Sequence, residues 1–130
     1  MTSQQNPLNA GVDIEWTAAV RTRANILVSG DPARLDEFWN VCLRQFEEPI
    51  ERYEATACLV LPVCRTLVLV GVEGLGMPAQ NMLKEWLDAL ENRRTQVISL
   101  TTTALFNAVV DGRFDSSLFY RLNTIHLRLG

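Results

Sequence analysis

The sequence predicts an α/β domain: a parallel sheet of about four or five strands with helices on both faces. Three observations carry this. Thr66-Leu67-Val68-Leu69-Val70 is an uninterrupted apolar run, as expected of a central parallel strand covered on both sides. Strand-like runs alternate along the chain with segments of helical spacing, the pattern of crossover connections. The 130 residues, 48% of them hydrophobic and 21% charged, are enough for one domain with its own core.

Residues 1–12 are polar, with Pro7 and Gly11, and read as a flexible arm ahead of a single domain over 13–130. Asp13 to Arg23, carrying Ile14, Trp16 and Val20, reads as a short helix packing Trp16 on the domain. Ile26-Leu27-Val28 before Ser29-Gly30-Asp31-Pro32 is a buried strand ending in a turn. Asp31 before Pro32 is an N-cap pair, because proline is tolerated in a first helical turn. From Arg34 to Glu47, Leu35, Phe38, Trp39, Cys42, Leu43 and Phe46 recur at helical spacing. Residues 48–65 are ambiguous: Ala57 to Leu61 could be a strand or a helix end, and Pro62 interrupts either.

Gly71 to Gly76 reads as a loop. Pro78 then opens a helix to about Glu91, with Met82, Leu83, Trp86, Leu87 and Leu90 on one face. Gln96 to Leu100 is a strand, 104–110 and 116–122 are short helices, and 124–129 alternates as a half-exposed strand with His126 on its outer phase. The expected core comprises Ile26, Val28, Phe38, Leu43, Leu67, Leu69, Leu83, Leu87, Val97, Ile98, Leu105, Phe114, Leu118 and Leu122, with Trp39 and Trp86 partly exposed.

Composition excludes several functions. A net charge of −3 leaves no basic face for direct nucleic-acid binding. No apolar run reaches the roughly 20 residues of a membrane helix, and no signal peptide is visible, so a cytoplasmic protein is expected. Cys42, Cys58 and Cys64 lack metal-ligand spacing, and His126 is the single histidine, so no metal site is expected. Cys58 and Cys64 read as small buried apolar groups of a reduced protein. Hydrolytic Ser/His/Asp or Cys/His chemistry would have to use His126, and no second group points to it. The acidic run around Glu47, Glu48, Glu51 and Glu54, interspersed with Arg44 and Arg52, reads as a solvated or partner-facing surface.

Asp111-Gly112-Arg113-Phe114-Asp115-Ser116-Ser117-Leu118-Phe119-Tyr120-Arg121-Leu122-Asn123 resembles the GxFRxDLYYRLN segment of the AAA+ ATPase core in sigma-54-dependent bacterial transcription activators. Upstream, Gly74-Leu75, Gln80, Leu83 and Leu87 resemble that family's QxxLLxxL helix. The resemblance spans about residues 25–129 and implies a three-layer P-loop NTPase-like fold. The helical lid and DNA-binding helix-turn-helix of the family would follow Gly130, so the expected domain lacks a lid. The family's GAFTGA loop has no counterpart between Phe46 and Thr66.

Set against the family, the positions of nucleotide chemistry have changed. Gly30-Asp31-Pro32-Ala33-Arg34-Leu35-Asp36-Glu37 aligns with GExGxGKE. Gly30 and Glu37 match. Ala33 and Leu35 replace glycines, whose absent Cβ lets backbone close around phosphate. Asp36 replaces the lysine, and a carboxylate about 4 Å from a phosphate charge costs on the order of 4 kcal/mol at an effective dielectric near 20. Val70 and Gly71 stand where TLFLDE keeps its Mg²⁺-binding and water-activating carboxylates, and the nearby Glu73 reads as a solvated loop acid. Thr102 replaces a sensing asparagine. Asp115 and Ser117 replace an arginine and an aspartate, and Arg121 matches the second of two arginines that face a neighbouring subunit's ATP. Arg121 reads more simply as a structural ion pair or a surface cation.

The expected cofactor-binding residues are therefore a remnant phosphate loop (Gly30, Asp31, Arg34, Asp36, Glu37) and a remnant arginine finger (Arg121), with no catalytic residue and no cofactor. The resemblance implies a non-catalytic interaction domain in bacterial signalling or transcription control, partnered by an intact AAA+ activator or a signalling protein. The alternative is an atypical ATP/Mg²⁺-binding domain or weak NTPase.

Overall fold

The computed structural model describes residues 20–55, 61–92 and 94–129, with the side chains of Leu43 and Leu90 outside that description. The expected arm at 1–12, most of the 13–23 helix with Trp16, most of the 57–61 segment with Cys58, and the Leu43 core position lie outside the described residues. Five strands form one parallel sheet: β1 (Ile26–Ser29), β2 (Ile50–Glu54), β3 (Thr66–Val70), β4 (Gln96–Thr101) and β5 (Ile125–Arg128). Their order is β2-β3-β4-β1-β5. The α/β class and the strand number therefore follow the sequence.

β3 and β4 are buried along nearly their whole length because they are inner strands, and the polar Thr66, Gln96, Ser99 and Thr101 are buried with their apolar neighbours. Thr66 to Leu69 and all six residues of β4 are buried. The period of two along each strand divides the core in two. Leu27, Leu67, Leu69 and Val97 face α2 (Met77–Asp88), α3 (Leu105–Val110) and α4 (Ser116–Leu122). Ile26, Val28, Val68, Ile98, Leu100 and Leu127 face α1 (Pro32–Cys42). The result is three layers. Every expected core residue with a described side chain is buried, and Trp39 and Trp86 are half-buried.

Five details depart from the sequence expectation. α1 ends at Cys42 and continues as a 3-10 turn over Leu43–Gln45 rather than as α-helix to Glu47. α2 ends at Asp88, short of Glu91, and the 71–76 loop contains a 3-10 turn at Val72–Gly74. Its buried face is Ala79, Gln80, Leu83 and Leu87, while Met82 is exposed. The ambiguous 48–65 stretch holds strand β2, Ile-Glu-Arg-Tyr-Glu, whose charges suit an edge because they oppose further strand pairing. Its Arg52 guanidinium lies 5.8 Å from the centre of the Trp39 ring, covering part of that side chain.

Gln80 shows what a buried polar side chain holds together. Its amide nitrogen donates to the Leu75 and Arg113 carbonyls at 2.8 and 2.9 Å, and its oxygen accepts the Asp115 N–H at 2.8 Å. One side chain thereby ties the start of α2 to the turn between α3 and α4. Cys42 and Cys64 are buried free thiols, and burial pushes both up to about 11.

Candidate functional site

In a parallel sheet every strand delivers its C-terminal end to one edge, and the candidate residues of β1, β3 and β4 meet there. β1 ends at Ser29 and α1 begins at Pro32, so Gly30 and Asp31 alone connect them. Gly30 donates its N–H to the Thr101 carbonyl at 3.2 Å. A Cβ at Gly30 would stand 3.0 Å from Leu129 Cβ, so the glycine sits in tight approach to the chain after β5.

Asp31 caps α1. Its Oδ1 accepts the Arg34 N–H at 2.9 Å, and its carbonyl accepts the Leu35 N–H at 3.0 Å. The expected cap pair is thus formed, and the protein's own carboxylate sits on the helix end. Arg34, Asp36 and Glu37 lie on the first turns of α1 with exposed side chains.

At the end of β3, Gly71 adopts φ +73°, donates its N–H to the Leu100 carbonyl at 2.9 Å and opens the 3-10 turn. Glu73 is half-buried rather than solvated. Its Oε2 accepts from Thr102 Oγ1 at 3.3 Å, while its Oε1 is buried without a hydrogen-bond partner. Sequence spacing missed this contact because Glu73 and Thr102 lie 29 residues apart.

A cleft of about 730 Å³ opens beside these ends, between β1, β5 and helices α3 and α4. Ser29, Thr102, Thr103, His126 and Arg128 supply its polar wall, and Phe106, Phe119 and Tyr120 its apolar one. His126 is half-buried here, not on an open strand face. Its Nε2 lies 2.9 Å from Ser29 Oγ. Burial first, then the Arg128 charge, holds the imidazole below its ordinary value. Among the described residues no carboxylate is hydrogen-bonded to His126, so the pair lacks the orienting acid of a hydrolytic triad. Among those residues no group of His, Cys, Asp and Glu could hold a metal ion.

Arg121 lies toward the opposite edge of the sheet. Its Nη1 pairs with Asp88 Oδ1 at 2.7 Å, and its carbonyl accepts from the Asn25 side chain at 2.9 Å. Asp115 caps α4: it accepts the Leu118 N–H at 2.8 Å and the Ser117 hydroxyl at 2.5 Å, with Lys84 Nζ at 3.3 Å. These bonds pull its carboxyl down to about 2.

Residues 44–130 match the family model described as the sigma-54 interaction domain. The chain belongs to that family. The sigma-54 interaction domain also has solved structural neighbours. Crystal structures of NtrX from Brucella abortus superpose with TM-scores of 0.71 for its complex with ATP and 0.69 for its complex with ADP. Identities are 16% and 14%, so the likeness speaks for the fold alone. Those matches cover 100% and 99% of this chain but 36% of each NtrX chain. The chain thus spans about a third of the length of those neighbours. No curated protein matches the sequence. Among the described residues of this sigma-54 interaction domain, no helix is long and apolar enough to cross a membrane.

Proposed function

We propose that this chain is a non-catalytic, protein-binding version of the sigma-54 interaction domain, acting in the cytoplasm in bacterial signalling or transcription control. It carries no nucleotide. Its partner is a protein, such as an intact AAA+ activator or a signalling protein.

The observation that carries the reading is the two-residue link between β1 and α1. A phosphate loop needs several residues of open backbone whose N–H groups converge on the anion. Here α1 starts at Pro32, and Asp31 already takes the Arg34 N–H. A phosphate would have to displace a carboxylate from the helix end and would meet Asp36 where the family has lysine. The lack of a carboxylate at Val70 and Gly71, and the pairing of Arg121 with Asp88 within the chain, support the same reading.

Titration with Mg-ATP, read by thermal unfolding, tests it. A ligand at 100 times its dissociation constant stabilises by about 2.7 kcal/mol. No shift is expected at millimolar ATP, and a saturable shift would overturn the proposal.

One observation favours a second reading, an atypical ATP/Mg²⁺-binding domain. The unpartnered Glu73 oxygen beside Thr102 places one acid near the end of β4. Under that reading Mg-ATP binds at micromolar concentrations, and Arg34→Ala abolishes the binding.

A further inference from the structure

The N-terminal edge of the sheet gathers charges that the chain keeps far apart. Arg23 precedes β1, Glu47 precedes β2, Arg65 precedes β3 and Arg94 precedes β4. Parallel topology brings all four together. We propose that this edge is a binding site for a small oxyanion on an apolar stem, with a phosphate or carboxylate head.

Arg23 organises the site. Its Nη1 pairs with Glu47 Oε2 at 2.7 Å. Its Nη2 donates to the Arg65 carbonyl at 2.5 Å and the Arg94 carbonyl at 3.0 Å, and its Nε to the latter at 3.3 Å. It does this from a left-handed backbone, φ +59°, a conformation a non-glycine residue keeps only when its surroundings enforce it. Arg23 therefore has little left for a ligand. It fixes the peptide units from which Arg65 and Arg94 project.

Those two guanidinium groups are available. Arg65 is held through Nε alone, 3.4 Å from Glu47 Oε1, and its side chain is 44% exposed. The Arg94 side chain is exposed and makes no hydrogen bond or ion pair among the described residues. Both line a polar cleft of about 420 Å³ with Arg23 and Glu47. Both also line an adjoining groove of about 470 Å³ whose apolar wall is Pro49, Val63 and Cys64. Val63 is 65% exposed, so this wall offers apolar surface to a stem. Glu47 and Glu91 are the acids facing these cavities, and Glu47 is already engaged by Arg23. A fork of planar donors at the junction of a polar cleft and an apolar groove fits an anionic head with its stem in the groove.

The test is calorimetric titration of the full chain with phenyl phosphate, benzoate and inorganic phosphate at physiological ionic strength. Saturable binding of phenyl phosphate or benzoate is expected, and the tighter of the two identifies the head. Inorganic phosphate should bind more weakly than phenyl phosphate. Arg94→Gln and Arg65→Gln should each weaken binding about tenfold or more. Arg113→Gln, on the remote turn between α3 and α4, should leave binding unchanged. Circular dichroism of Arg94→Gln should match the unmodified protein, since that side chain holds nothing in the fold. The proposal is overturned if neither organic anion binds saturably, or if Arg94→Gln binds as tightly as the unmodified chain.

Discussion

At the scale of single residues, two glycines are needed for different reasons, and substitution separates them. Gly30→Ala brings a Cβ to 3.0 Å from Leu129 Cβ, so the chain after β5 must move. Overpacking of this kind costs about 1–3 kcal/mol. Gly71→Ala meets nothing within 4 Å, but its φ of +73° costs an L-residue about 1 kcal/mol. Urea denaturation should show both losses, with that of Gly30→Ala accompanied by amide shifts at Leu129. His126 makes a second residue-scale prediction. Its folded pKa lies below the ordinary 6.5, so between those values the unfolded chain binds a proton that the folded one refuses. Stability should therefore fall as pH drops below about 6.5 and be unaffected by this group above it. His126→Gln should flatten the urea-midpoint profile between pH 7 and 5, and an unchanged slope would show that the ring is not the source.

Elements show which parts of the fold were legible in the sequence. β3, β4 and β1 announce themselves because inner parallel strands carry apolar residues toward both faces, as Val97 and Ile98 do in β4 despite Gln96 and Ser99 beside them. α2 announces itself through Leu83 and Leu87 four residues apart. β2 does not, because a charged edge strand has the composition of a solvated loop and only Ile50 and Tyr53 touch the core. Helix ends follow capping rather than periodicity. α4 illustrates this with Asp115, which the resemblance aligns with an arginine and which here caps the helix. Asp115→Ala should remove about 1 kcal/mol, the usual value of an N-cap. The carboxyl titrates near 2 when folded against an ordinary 3.8. Its contribution is fully present above about pH 4 and lost as pH falls toward 2. Asp115→Asn keeps a capping oxygen, so it should lose less at neutral pH and lack that acid-dependent part. Equal losses for Ala and Asn at pH 7 would assign the effect to the Lys84 charge pair instead.

Across the whole molecule, parallel topology makes two edges of opposite character, and a linear pattern shows neither. Arg23 meets Glu47 and the Arg65 and Arg94 carbonyls across 24, 42 and 71 residues, so no motif announces that cluster. At the other edge the sequence marks changed charges, but the backbone route is visible only in the fold. Side-chain charge and chain path are separable causes of the proposed loss of nucleotide binding, and one variant distinguishes them. Asp36→Lys places a lysine where the sequence resemblance aligns the family's. If the missing charge alone closed the site, this variant should gain a Mg-ATP-dependent thermal shift. Residue 36 lies on the exposed flank of α1, five residues into a helix that starts directly after the Gly30-Asp31 link. A lysine there extends into solvent with no curved backbone below it to hold the other phosphate oxygens. Asp36→Lys should therefore fold as the unmodified chain does, with a change within about 0.5 kcal/mol as for an exposed helix position. It should show no thermal shift at millimolar Mg-ATP, whereas a saturable shift would make electrostatics, and not the path of the chain between β1 and α1, the barrier to the nucleotide.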